Sequence, residues 1–197
     1  MANAELSIKE ELSSASEFYE VVVRSQQGDG EAFQLLFQRY SKPILEFIYN
    51  MVGEKGLAEE LMQESFVRAY RNLANLKEPA KFSTWLFGIA KNTVRETFKK
   101  RGEANRKVAL DEPISLQLED SKIRPDERIF QTELNLALRR ALLALNEDWR
   151  TVFVLKILNQ QSYEEIAEIT GWSIGKVKTD LHRARLEIKR RLNAYLS

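Results

Sequence analysis

From Asp29 to Val52 the apolar side chains Phe33, Leu36, Phe37, Tyr40, Ile44, Phe47, Ile48 and Met51 recur at steps of three and four. That period lines one side of an α-helix and does not suit a strand, whose side chains alternate every second residue. Gly28 and Gly53 punctuate the segment, and Pro43 is expected to kink or divide it. The period returns from about Leu57 to Leu73, where Leu57, Leu61, Phe66, Val67 and Tyr70 are expected to face inward. No convincing run of alternating strand residues occurs. The pattern predicts an all-α chain.

A third helix is expected in KFSTWLFGIAKNTVRETFKKR, residues 81–101. Ser83 is a candidate N-cap, with Phe82 and Phe87 as a hydrophobic staple across it. Ile89, Ala90, Thr93, Val94 and Thr97 continue one face, and Lys91, Arg95, Lys99 and Lys100 lie away from it. Residues 102–128 then lose all periodicity and carry two prolines and an acidic bias. A connection of about 25 residues is long for the inside of one domain. The expected organisation is a polar extension (1–16), a helical domain (17–101), a flexible acidic linker (102–128) and a second small helical domain (129–197). Val108, Leu110, Ile114, Leu116 and Leu118 are more apolar side chains than a spacer requires, so the linker is expected to dock on something.

In the second domain, Leu134, Leu138, Ala141, Leu142 and Leu145 form one stripe, and Val152, Phe153, Leu155 and Ile157 belong to the next helix. Ser162 with Glu165 spells a capping box, Gly171 supplies a tight turn, and Ser173 caps a longer helix. Along that helix Ile174, Val177, Leu181, Ala184, Ile188 and Leu192 make the inner stripe. Lys176, Lys178, Thr179, His182 and Arg183 are left outside. A short helix, a glycine turn and a helix with a basic outer face make a helix-turn-helix, with small Ala167 where the two helices press together. Lysine, arginine and threonine on such a face can donate to phosphates and base edges in the major groove. An ordinary antiparallel helix pair with a solvated basic face is the plainer alternative.

Composition narrows the function. The chain of 197 residues has 44% hydrophobic residues, enough for folded cores, and no cysteine, hence no disulfide, thiol nucleophile or Cys-ligated zinc. No segment approaches the roughly 18 consecutive apolar residues of a membrane span. The polar, acidic start reads as neither signal nor transit peptide, and a cytoplasmic protein is expected. The net charge of +1 hides an uneven distribution: residues 91–107 and 172–196 each hold seven bases against two acids, while residues 108–133 hold seven acids against three bases. The first basic helix suits single-stranded nucleic acid, which is held by aromatic stacking and by cations along the backbone. Trp85 is a candidate platform, although aromatics at helical spacing are more often core. Lys91, Arg95, Lys99 and Lys100 lie beside it, and Asn92 can read a base edge. Glu59, Glu60 and Glu64 diverge around their helix and His182 sits among arginines, so no metal site, cofactor or enzyme chemistry is expected.

The runs GDGEAFQLLFQRY, AEELMQESFVRAYRNL, KFSTWLFGIAKNTVRETFKKR and LNEDWRTVFVLKILNQQSYEEIAEITGWSIGKVKTDLHRARLEIKRRL occur in this order from Glu17 onward. Together they resemble bacterial extracytoplasmic-function (ECF) RNA polymerase sigma factors. The resemblance implies a promoter-specificity subunit. Glu60, Gln63 and Glu64 would dock on the clamp helices of the polymerase's largest subunit. Leu76, Lys77 and Lys81 would lie in the loop that helps open the minus-ten element, and Asn92 would sit at a pocket for a flipped base. The helix-turn-helix would bind the minus-thirty-five duplex, with Lys156 on phosphate. The linker would thread toward the RNA-exit path, and an anti-sigma factor is an implied partner. Some positions depart from the family. Glu60 stands where Asp is common, Lys176 where Gly-Thr-Val is usual, Asp180 where a base is common, and Asn146 where a proline is usual. The alternative is a stand-alone helix-turn-helix regulator with an unrelated helical sensor domain.

Overall fold

The computed structural model describes residues 16–101 and 135–196, and every regular element among them is helical. Helix α1, residues 16–26, is absent from the periodicity reading. It is short, and its apolar side chains sit in a run otherwise rich in charge. Val22 is buried in the core, and the Phe18 ring lies 6.0 Å from Tyr40 and 6.3 Å from Phe82. Gln26 Nε2 donates to the carbonyls of Leu73 and Leu76 at 3.1 and 2.7 Å, fixing the loop that carries them.

Helix α2, Gly30–Val52, is capped by Asp29, whose carboxylate accepts from the backbone of Glu31 and Ala32 at 3.0 Å each. It ends at Gly53, whose φ of 80° is the left-handed conformation that glycine adopts without a Cβ clash. Pro43 does not divide it. The missing N–H costs one rung, and the buried Leu36, Ile44, Phe47 and Ile48 hold the turns on either side together. Helix α3, Lys55–Asn72, buries Leu57, Ala58, Leu61, Met62, Ser65, Phe66 and Ala69. Val67 and Tyr70, expected inward, are 48% and 53% exposed. Small residues, which periodicity discounts, hold the inward positions, and Val67 is turned about 100° from Phe66. The Tyr70 ring rests edge-on against Phe33 at 4.9 Å.

Short 3₁₀ turns at Leu73–Asn75 and Pro79–Lys81 lead into α4, Phe82–Arg101. Because the second turn runs straight into the helix, Ser83 lies inside α4 and not at its cap. The expected staple is also replaced. Phe82 packs on Phe18, Tyr40 and Trp85, while Phe87 meets Phe47 at 5.6 Å, because α1 and α2 supply nearer partners.

Helix α5 covers residues 135–143. Asn146 caps α6, Glu147–Phe153, by accepting from Trp149 N at 2.9 Å, and α6 passes directly into a π-helical turn, Val154–Leu158. Helix α7, Tyr163–Thr170, opens with the expected Ser162–Glu165 capping box and ends at Gly171, φ 75°. Helix α8, Ile174–Leu196, starts under Ser173, whose hydroxyl accepts from Lys176 N at 3.2 Å. Its inner stripe buries Val177, Leu181, Ala184 and Ile188. Ile174, expected in that stripe, is 37% exposed at the first residue after the turn. The linker, its five apolar side chains and Leu134 lie outside the described residues.

Helices from both sides of the linker share one apolar core, in which Phe47 and Phe87 belong with Val154, Leu155 and Ile169. Helix α7 packs on α4, and α6 with its π turn packs on α2. Two arginines cross this junction. Arg139, 7% exposed, donates to the Tyr49 hydroxyl and stacks its guanidinium 4.0 Å from that ring's centroid. Arg150 donates to Met51 O at 2.5 Å, near the end of α2, and to Leu143 O and Leu145 O at 2.5 and 2.9 Å, at the end of α5. One guanidinium thus satisfies terminal carbonyls of two helices. Among the described residues, no helix is long and apolar enough to cross a membrane.

Candidate nucleic-acid interface

The helix-turn-helix is built by local rules. The capping box fixes the first turn of α7, Gly171 reverses the chain, and Ser173 fixes the first turn of α8. Ala167 is half-buried against the core, as the close approach of α7 and α8 requires. With Val177, Leu181 and Ala184 committed inward, Lys178, Thr179, His182 and Arg183 are exposed on successive turns, followed by Arg185 and Lys189. The Thr179 hydroxyl donates to Gly175 O at 2.9 Å, leaving its oxygen to accept. Tyr163, which the sequence reading did not single out, lies between two lysines. Lys156 Nζ is 4.8 Å and Lys178 Nζ 5.3 Å from its ring centroid, and Lys156 also donates to Gln161 O at 2.9 Å.

Lys176 is held differently. Its Nζ is 2.9 Å from Asp148 Oδ2, donates to the Asp180 carboxylate, and lies 3.9 Å from the Trp172 ring centroid. Burial works against its charge, but Asp180 and Asp148 outweigh it, and the ammonium pKa is raised. Asp180 therefore points inward, with 7% of its side chain exposed. Of this cluster the sequence shows only the four-residue spacing of Lys176 and Asp180. Asp148 is remote in the chain and carries no signal.

On α4, Asn92, Arg95, Lys99 and Lys100 are exposed, while Trp85 is half-buried with its ring tilted against Phe82 at 6.0 Å. The indole is therefore packed in part against the core. Lys91 is half-buried. Burial lowers its pKa, the Arg95 charge adds to the effect, and Glu147 and Asp148 oppose it from α6. In the preceding loop Lys77 is exposed and Leu76 half-buried. Lys81 Nζ pairs with Glu168 of α7 at 3.2 Å and with Glu78 at 3.3 Å, and both carboxylates raise its pKa.

On α3, Glu60 and Gln63 are exposed and Glu64 is half-exposed. Arg68 grips Glu64 at 2.5 Å and reaches Glu96 of α4 at 2.8 Å, so one of the three expected docking side chains is fixed by an ion-pair network. Val67 and Tyr70 continue the exposed side of the same helix. The three groups of residues lie on α3, on α4 with its preceding loop, and on α8 with Lys156 on the π turn. Among the described residues, no cluster of His, Cys, Asp or Glu is placed to hold a metal ion.

Two family models match the chain: Sigma-70 region 2 over residues 36–103 and Sigma-70 region 4 over residues 135–188. The ECF RNA polymerase sigma factor SigW of Bacillus subtilis is 34% identical over 171 residues, covering 84% of this chain and 91% of that protein. The ECF RNA polymerase sigma-E factor of Haemophilus influenzae is 31% identical over 178 residues, covering 87% and 93%. The fold is similar to CnrH in complex with the cytosolic domain of CnrY, with a TM-score of 0.67 at 21% identity over 90% of this chain and 97% of that one. It is also similar to the sigma factor RpoE of Bartonella quintana, solved with the anti-sigma factor NepR, at a TM-score of 0.65 and 21% identity over 82% and 96%. Coverage of nearly the whole relative at this identity, with both region models in order, decides the family: the chain belongs to the ECF RNA polymerase sigma factors.

Proposed function

We propose that this chain binds core RNA polymerase, recognises minus-thirty-five and minus-ten promoter elements, and promotes promoter opening. The observation that carries the reading is the pair of exposed basic helix faces, one on α4 and one on the capped helix-turn-helix, in the two halves matched by the region models. In this reading residues 17–101 act as sigma region two and residues 129–197 as region four. Glu60, Gln63 and Glu64 meet the clamp helices. Leu76, Lys77, Lys81, Trp85, Lys91, Asn92, Arg95, Lys99 and Lys100 serve the minus-ten element. Lys156, Lys178, Thr179, His182 and Arg183 serve the minus-thirty-five duplex. Base flipping costs a few kcal/mol, so a positioned Asn92 and flanking cations are what the opening step needs. The subunit acts in initiation in the cytoplasm with no catalysis of its own. An anti-sigma factor is its expected regulator, since the two structural relatives were solved as complexes with such a factor or with a cytosolic protein domain.

Run-off transcription with purified core polymerase and genomic promoter fragments tests the whole reading. Specific starts that require this chain are expected, and failure to join core or to direct starts refutes it. Asn92→Ala should weaken promoter opening, read by permanganate reactivity of unpaired thymines, while duplex binding persists. A stand-alone helix-turn-helix regulator would be indifferent to Asn92→Ala in every DNA assay.

A further inference from the structure

The two departures within the recognition helix, a lysine at 176 and an acid at 180, are partners in space. Helix stability does not explain the pair. A cation in the first turn opposes the helix dipole, and Lys preceding Asp by four residues is the weaker order for such a pair. The third member explains it. Asp148, in the first turn of α6, reaches Lys176 Nζ at 2.9 Å and ties the start of α8 to the start of α6. Trp172 closes another side at 3.9 Å. If Lys176 swung out to a phosphate, Asp180 would be left buried without its cation, an arrangement proteins avoid.

We propose that Lys176 is a positioning residue: with Asp148 and Asp180 it sets the angle at which α8 enters the duplex, and so decides which base pairs Thr179, His182 and Arg183 read. This rests on α8 being the minus-thirty-five recognition helix. The groove between α6 and α8 is lined by Asp148 from α6 and by Lys176, Thr179, Asp180 and Arg183 from α8, so the tether adjoins two of the three reading side chains. A shift of the tether therefore reaches the reading residues directly.

The test uses holoenzyme reconstituted from core polymerase and the full chain. Binding to a promoter duplex is measured across salt concentrations, and base preference is selected from a library randomised in the minus-thirty-five element. Each phosphate contact contributes about 0.9 to the slope of log affinity against log salt. Lys176→Gln is expected to keep the wild-type slope while changing the preferred base pairs, and Lys176→Arg to restore the preference. Asp148→Asn, at an exposed residue whose loss spares the core, should reproduce the change. Arg183→Gln should lower the slope by about 0.9. A similar fall in slope with Lys176→Gln, or an unchanged base preference, overturns the proposal and leaves α8 as the recognition helix. If Arg183→Gln and His182→Ala also leave slope and preference untouched, the recognition-helix reading itself fails and the proposal with it.

Discussion

The Glu187 carboxylate is strongly perturbed by its neighbours. Hydrogen bonds from Arg190 and Arg191 hold its pKa down to about 2, against an ordinary 4.5. A carboxylate depressed by folding stabilises the folded state above its unfolded pKa, and that stabilisation is lost as pH falls toward the folded value. Melting temperature should therefore fall between about pH 4.5 and 2, and Glu187→Gln should flatten that limb in thermal melts by circular dichroism. Lys91 has the opposite economy. Its lowered pKa means that folding disfavours its charge, so Lys91→Met should raise the melting temperature at pH 7 while weakening promoter opening. Residue-scale reading of the sequence succeeded where chemistry is local, as at Ser162 and Ser173. It failed where a distant neighbour decides. Val67 and Tyr70 were misplaced because Ala58, Ser65 and Ala69 take the inward positions, and Trp85 was ambiguous because Phe82 is visible beside it but the depth of its pocket is not.

At the scale of elements, the caps carry most of what was legible. The Ser162–Glu165 box, the Gly171 turn and the Ser173 cap all form at the expected positions. Ser162→Ala removes an acceptor for the Glu165 backbone and should cost about 1 kcal/mol in urea unfolding. A loss near zero would mean that α7 is held by packing alone. The α4 start was less legible. Ser83 is a good capping residue by type, but Pro79–Lys81 already winds the chain, and the helix begins before the serine. Likewise Pro43 reads as a breaker, yet burial on both sides carries α2 through it. The π turn at Val154–Leu158 has no sequence mark. It is followed by Gln160, a non-glycine residue at φ 55°, where the chain turns toward α7.

For the whole molecule, the order of helices and the family were readable from motif order, but the shared core was not. Nothing in the sequence pairs Arg139 with Tyr49 or Arg150 with Met51, contacts separated by about a hundred residues. Arg150 accounts for more than attraction. Its acceptors on α2 and α5 are met by a planar fork, and a plane fixes orientation as well as distance. Arg150→Lys keeps the charge but replaces the fork by a point. Labels on Gln38 and Lys189, both exposed, should then report a broadened distance distribution by double electron–electron resonance. An unchanged, narrow distribution would assign the orientation to the apolar core. The flat guanidinium thus works as an angular stop: while the halves touch, it permits few ways of turning one against the other.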